Sequence, residues 1–331
     1  VSKQRGWRRA AVWVLAGLLA VVLAVALGPR NAYGPDEPAP RPALPVDPKQ
    51  LDAWLVQSES AYPDIRPGTA KGVVWHGETG QRTPWAVVYL HGFSASRLEV
   101  APLPERVAQR LGANVFYTRL SGNGRTGQAM GEARVQDWLA DTVEAVRIGR
   151  LLGDRVLVLA TSTGGTLGTW LATRPEGADV SAYVFISPNF GPKNRLSELI
   201  NGPWGQQLAF WLEGEMRGEV SGKPDEARGW TERYATRALF PMMALVQHVR
   251  DSDLSAFRTP VLVFYAPGDR TVEPEQTRQV FARLGSPRKT LEAVNYSEAE
   301  GQHVLAGDIR APRATGPMTE RILGWLAEQD L

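Results

Sequence analysis

The chain has 331 residues, 43% of them apolar and 22% charged, with 37 basic and 35 acidic side chains for a net charge of +2. That balance suits an ordinary globular core and leaves no concentrated positive face for a nucleic acid. With no cysteine and four histidines (His76, His91, His248, His303), disulfides, thiolate nucleophiles, iron–sulfur clusters and zinc–thiolate sites are excluded, and no dedicated metal site is expected.

In chain order, residues 1–9 form a basic segment with Lys3, Arg5, Arg8 and Arg9. An uncharged, largely apolar run over 10–28 follows, close to the ~20 residues that cross a bilayer as a helix. The charge asymmetry predicts a membrane signal-anchor with the N-terminus inside and the main domain on the non-cytoplasmic side. Ala24-Val25-Ala26 also fits a signal-peptidase site, so a secreted or periplasmic protein cleaved near Ala26 is the alternative. Residues 29–48 are rich in proline, which blocks helix and sheet ladders, and are expected to be an extended spacer.

A single large folded domain is expected over 49–331. A short helix over 51–58 precedes strand-like runs at 72–75, 85–90, 114–118, 155–160, 182–187, 261–266 and 290–294. Several are β-branched or aromatic and bounded by Gly, Pro or Ser, as buried parallel strands are. Helical periodicity falls between them at 104–111, 133–152, 164–173, 274–284 and 317–328. Such alternation predicts an α/β fold with a mostly parallel central sheet and helices on both faces. From about 190 to 257 the rhythm breaks into a Trp- and Phe-rich interval, which is read as a helical cap insertion.

Ala160-Thr161-Ser162-Thr163-Gly164-Gly165 follows the fourth run and opens a helix. A serine at a sharp strand-to-helix turn needs small residues two positions either side, and Ala160 and Gly164 meet that need. Asp269, in Pro267-Gly268-Asp269, and His303, in Gly301-Gln302-His303, each follow a later strand. The order Ser, Asp, His, each beyond the C-terminal end of a strand, predicts a nucleophile, an orienting acid and a base. The backbone N–H groups of Phe93 and Thr163 are the expected oxyanion donors. His91 is read as a turn-packing residue, and His76 and His248 as structural. Trp204, Trp211 and Phe240 of the cap are candidate substrate contacts. Gly122 to Gly127 matches G-x-G-x-x-G, but it lies several residues past its strand, so no dinucleotide and no other cofactor is expected.

The His91-Gly92-Phe93 turn, the Gly122-Asn123-Gly124 turn, the Ser162 elbow, Asp269 and His303 together resemble the α/β-hydrolase superfamily over about residues 50–330. Within it the chain is similar to the capped carboxylesterase and monoacylglycerol-lipase-like group, alongside serine aminopeptidase-like hydrolases. Ala160 departs from the usual elbow glycine, and Arg119 stands where many relatives carry an acidic residue. The resemblance implies hydrolysis of a small or monoacyl-lipid ester through an acyl-enzyme. A peptidase, thioesterase or acyltransferase would use the same triad, with Glu213, Glu215 or Glu219 available to a substrate amine. A membrane-anchored binding protein without catalysis is the reading from another class.

Overall fold

A computed structural model describes residues 2–331; residue 1 and the side chains of residues 2–5, Lys3 and Arg5 of the basic flank among them, lie outside the described residues. The chain forms α1 (Ser2–Ala26), α2 (Leu51–Glu59), β1 (Gly72–Val74), β2 (Thr83–Leu90), α3 (Leu103–Leu111), β3 (Asn114–Tyr117), α4 (Gly127–Met130), α5 (Val135–Leu152) and β4 (Gly153–Thr161). It continues through α6 (Thr163–Ala172), β5 (Val180–Ile186), α7 (Gly205–Glu213), β6 (Met216–Arg217), α8 (Pro224–Gly229), β7 (Tyr234–Ala235) and α9 (Leu239–Asp251). The last elements are β8 (Val261–Tyr265), α10 (Pro274–Arg283), β9 (Lys289–Ala293) and α11 (Pro312–Glu328).

Seven strands build one sheet in the order β1-β3-β2-β4-β5-β8-β9, antiparallel only where β1 meets β3. Each predicted run becomes one of these strands. The two-residue side-chain period of a strand divides the core into two layers. Val88, Leu90, Val158 and Ala160 face α5, α6 and α9, whereas Val87, Tyr89, Leu157 and Leu159 face α3 and α11. Because all the parallel strands point the same way, the loops after β2, β4, β8 and β9 gather at one edge.

α11 begins at Pro312, five residues before the predicted start. Proline is well placed in a helix's first turn, where its missing N–H has no intrahelical partner to lose; the Gly316-Pro317 pair hid this first turn from the periodicity. The cap interval lies between β5 and β8 and holds α7, α8, the β6–β7 ribbon and α9. Unlike the rest of it, α9 is largely buried and packs in the same layer as α6, so it belongs to the domain core.

α1 contains the one stretch among the described residues that is long and apolar enough to cross a membrane, Gly6–Ala26, and none of it is buried. The proline-rich segment after it has neither helix nor strand, as expected, but it is not a free spacer. Asn31 Nδ2 donates to Asn201 Oδ1 and to the Phe240 carbonyl, both at 2.7 Å. Gln136 Nε2 donates to the carbonyls of Tyr33 and Pro35, and Arg41 pairs with Asp141. The Tyr33 and Pro35 carbonyls, which have no ladder partner, are thus met by a side chain of the domain.

Candidate active site

Ser162 sits between the last residue of β4 and the first of α6, with φ 52° and ψ −116°. A side-chain-bearing residue in that region costs about 1–3 kcal/mol and persists only where its surroundings fix it. Here they do. The Ser162 N–H donates to the Ile186 carbonyl, and its own carbonyl accepts from Gly165 and Asn189. A Cβ on Gly164 would lie 2.1 Å from the Leu90 carbonyl oxygen, so α6 can approach β2 only with glycine there. Ala160 is fully buried between β2 and β5, where its methyl group fits.

Asp269 follows β8 and His303 follows β9, and the two side chains meet with Asp269 Oδ2 2.8 Å from His303 Nδ1. Asp269 Oδ1 accepts from the N–H groups of Thr271 and Val272 at 2.7 and 3.0 Å. The carboxylate is therefore held from both ends. The His303 loop is in turn tied to the Asp269 loop, since Arg270 N–H donates to the Gly301 carbonyl. The Gln302 side chain lies against Gly268, where a Cβ would stand 2.2 Å from its Oε1.

Ser162 and His303 line one cavity of about 440 Å³, the size of a small-ligand site. Phe93 lines it too, and the N–H groups of Phe93 and Thr163 have no acceptor among the described residues. Phe93 shares the cavity wall with Ser162, and Thr163 follows Ser162 directly in the chain. Ile200 of the cap and Leu239, Met242 and Met243 of α9 give the cavity an apolar wall, and polar groups such as Asn189 and Arg270 line it too. Among the described residues no group of three His, Asp or Glu side chains is placed to hold a metal ion.

The cavity also exposes a residue that the sequence reading missed. Glu99 is buried, with Oε1 accepting from Gly92 N–H at 2.5 Å and 2.7 Å from the Tyr89 hydroxyl. Burial pushes its carboxyl up to about 7. A Cβ on Gly92 would lie 3.1 Å from Glu99 Oε2 and 3.2 Å from Ser162 Cβ, so the carboxyl sits close to the Ser162 turn. Its only sequence signal is an acidic residue between Leu98 and Val100, six positions after Phe93.

The other expected residues fall outside the chemistry. His91 accepts from Leu120 N–H at Nε2 and donates from Nδ1 to the Gly92 carbonyl, so it packs the turn. Burial depresses its pKa to about 4, which keeps it neutral. Trp204 and Trp211 are solvent-exposed and Phe240 packs edge-on against Phe210; none of the three reaches the cavity. They were expected there because aromatic content alone does not tell which face of a cap helix turns inward. Glu213, Glu215 and Glu219 do not line it either. Cβ atoms at Gly122, Gly124 and Gly127 would meet the Ala129 carbonyl, Thr69 and the Arg233 carbonyl within 2.8 Å. The glycines of that run let protein pack against protein where a nucleotide would have to lie. Arg119 forms a buried pair with Glu59 of α2 at 2.6 Å, which explains a basic residue at that position.

The sequence profile of the family described as "Serine aminopeptidase, S33" matches residues 81–298. A thermostable monoacylglycerol lipase of Bacillus sp. (strain H-257) is 24% identical over 229 residues, covering 69% of this chain and 86% of the relative. Among solved structures, one from a study of the metagenome-derived lipolytic enzymes LipS and LipT superposes with a TM-score of 0.59. It is 21% identical and covers 80% of this chain and 99% of that one. The Saccharomyces cerevisiae monoglyceride lipase, as a soluble variant, superposes with a TM-score of 0.58 at 14% identity over 81% of this chain and 96% of its own. The Paleococcus ferrophilus monoacylglycerol lipase gives 0.55 at 17% identity, over 78% and 98%. The sheet order, the elbow and a profile match over most of the chain agree: this protein belongs to the serine aminopeptidase S33 family of the α/β-hydrolases.

Proposed function

We propose that the protein is a serine hydrolase that cleaves carboxylic esters, small esters or monoacyl lipids, at the membrane that α1 crosses. The observation that carries this reading is the pairing of His303 with Asp269 at the wall of a cavity that also holds the strained Ser162. Ser162 Oγ attacks the ester carbonyl carbon while His303 Nε2 takes its proton, and Asp269 keeps the other ring nitrogen protonated and oriented. The N–H groups of Phe93 and Thr163 stabilise the tetrahedral oxyanion. His303 then returns the proton to the departing alcohol, and a water molecule, activated by the same ring, releases the acid from Ser162.

The apolar wall of Leu239, Met242 and Met243 suits an acyl chain, and the relatives named above as monoacylglycerol lipases support that substrate class. The domain is placed on the non-cytoplasmic side with α1 retained as an anchor; cleavage near Ala26 would release it as a secreted or periplasmic enzyme. An amidase or aminopeptidase reading draws on one observation, the buried Glu99 carboxyl within the cavity, which a substrate ammonium group could approach.

The test treats the full chain in detergent with a fluorophosphonate, a p-nitrophenyl ester series, a monoacylglycerol and aminoacyl p-nitroanilides, with Ser162→Ala alongside. Labelling and ester turnover that disappear in Ser162→Ala support the reading. Turnover confined to the anilides moves it to the peptidase, and a folded chain without labelling moves it to a binding protein.

A further inference from the structure

Outside α1, the large exposed apolar side chains concentrate in one stretch of the cap. Leu196 and Leu199 lie on the 3-10 segment Arg195–Asn201, and Trp204, Leu208, Trp211 and Leu212 on or just before α7. From Trp204 the four are spaced by four, three and one residues, and Leu208, Trp211 and Leu212 share a single stripe of α7. Gly205 and Ala209, which flank this stripe, are the buried residues of the helix. A cap helix of a protein surrounded by water turns its Leu and Trp inward; this one turns Trp211, 80% exposed, and Leu212, 65% exposed, outward.

The end of α1 meets this stripe. Trp204 Nε1 donates to the Ala24 carbonyl in the last turn of α1 at 2.7 Å, and Trp204 N–H donates to the Pro29 carbonyl at 2.8 Å. Gly28 lies flush on the indole, since a Cβ there would stand 2.2 Å from Nε1. The following residues prevent the junction from swinging. Asn31 is bonded to Asn201, Phe240 and Gln206, and Tyr33 stacks on His248 at 3.8 Å. Asp36 accepts from Trp170 Nε1 and Tyr33 and pairs with Arg174. All of these strap residues precede residues 81–298, the segment matched by the family profile.

We propose that residues 28–41 are a strap that holds the cap against the bilayer crossed by α1, with the Leu196–Leu212 face seated at the lipid–water boundary. This rests on the membrane reading of α1 given above. The occupant is the bilayer because the patch is continuous with the end of the membrane span, and because Trp and Leu at such an end suit the interfacial layer. The arrangement gives the cavity a lipid-facing approach. Within the 3-10 segment, Leu196 and Leu199 point outward while Ser197 and Ile200 line the catalytic cavity, so one turn of chain separates the two.

The absence of cysteine makes a direct test possible. Single-cysteine variants Leu212→Cys on the cap, Val14→Cys in α1 and Val56→Cys on α2 carry an environment-sensitive fluorophore in the full chain. They are reconstituted into phosphatidylcholine vesicles with and without brominated lipid. The expected result is loss of fluorescence at 212 and 14 but not at 56. Quenching at 14 alone overturns the strap and leaves the membrane reading standing; quenching at neither overturns both. A label at 212 that is shielded in detergent, in a particle of dimeric mass, assigns the face to a second copy and overturns the proposal. Adding Asn31→Ala and Asp36→Ala to Leu212→Cys should reduce quenching at 212 while quenching at 14 in the matching variant stays. Unchanged quenching at 212 would show that the face seats without the strap, and would also overturn it.

Discussion

Asp269 offers its two oxygens to different partners: Oδ2 faces His303 Nδ1 at 2.8 Å while Oδ1 takes the N–H groups of Thr271 and Val272. Asp269→Asn can keep the second set, because its amide oxygen still accepts from the backbone. Its NH2 then faces His303 Nδ1 and forces that nitrogen to accept, leaving the proton on Nε2. The ring can no longer take the serine proton. The expected outcome is a kcat about 10⁴-fold lower with an unchanged melting temperature. Ester kinetics beside a thermal melt check it; a loss below tenfold would remove Asp269 from the mechanism.

Glu99 makes stability depend on pH in an unusual direction. Folded, its carboxyl holds a proton up to about pH 7; the ordinary value is 4.5. The stabilisation this group gives is complete below pH 4.5 and is lost as pH rises through 7. Glu99→Gln stays neutral and keeps an acceptor for Gly92 and Tyr89. Its stability relative to the parent should therefore rise between pH 4.5 and 7.5, by up to about 3 kcal/mol. Buried His91, lowered from 6.5 to about 4, acts in the opposite sense, its contribution being lost as pH falls. The parent's own profile thus partly cancels, and only the difference between the two proteins isolates Glu99. Urea melts across that range check it, and a flat difference refutes the raised carboxyl.

The elbow predicts an asymmetry between its two small residues. Gly164→Ala pushes a methyl group into the Leu90 carbonyl, 2.1 Å away, at the end of the strand that leads to Phe93. Overpacking of this kind costs about 1–3 kcal/mol or more and here also displaces the backbone at Phe93 and Thr163, the proposed oxyanion donors, so activity should fall further than stability. Ala160→Gly only removes a buried methyl and should cost about 1 kcal/mol with activity retained. Parallel activity and melting measurements separate the two.

Arg119 and Glu59 form a buried pair whose carboxylate also accepts from Lys71 N–H. Arg119→Met leaves that carboxylate uncompensated and should destabilise by about 3–5 kcal/mol. Adding Glu59→Gln removes the orphaned charge while keeping an acceptor for Lys71, and should recover part of the loss. Denaturant unfolding of both variants checks this; equal destabilisation would mean that the pair carries no charge coupling.

Much of this protein was legible in its sequence because the relevant rules are local. The β-branched runs bounded by Gly and Pro are the seven strands of the sheet, since alternation and length are set by the strand's own geometry. That Ser162, Asp269 and His303 lie at one edge of the sheet was legible because each follows a strand, and parallel strands deliver their ends to one edge. What the residues could not declare was which side a helix presents, or what long-range partner a segment finds. Periodicity marks an apolar stripe on α7 but not that the stripe faces outward, so Trp204 and Trp211 were assigned to the wrong side of the cap. Proline content dictates that residues 29–48 are extended, yet Asn201, Gln136 and Asp141, more than ninety positions away, turn them into a bound strap. Glu99 gained its proton affinity only when β2 and its turn closed around it. Local propensity resides in neighbouring residues and survives in the sequence; burial and charge environment are properties of the assembled neighbours, and only the tertiary structure decided them.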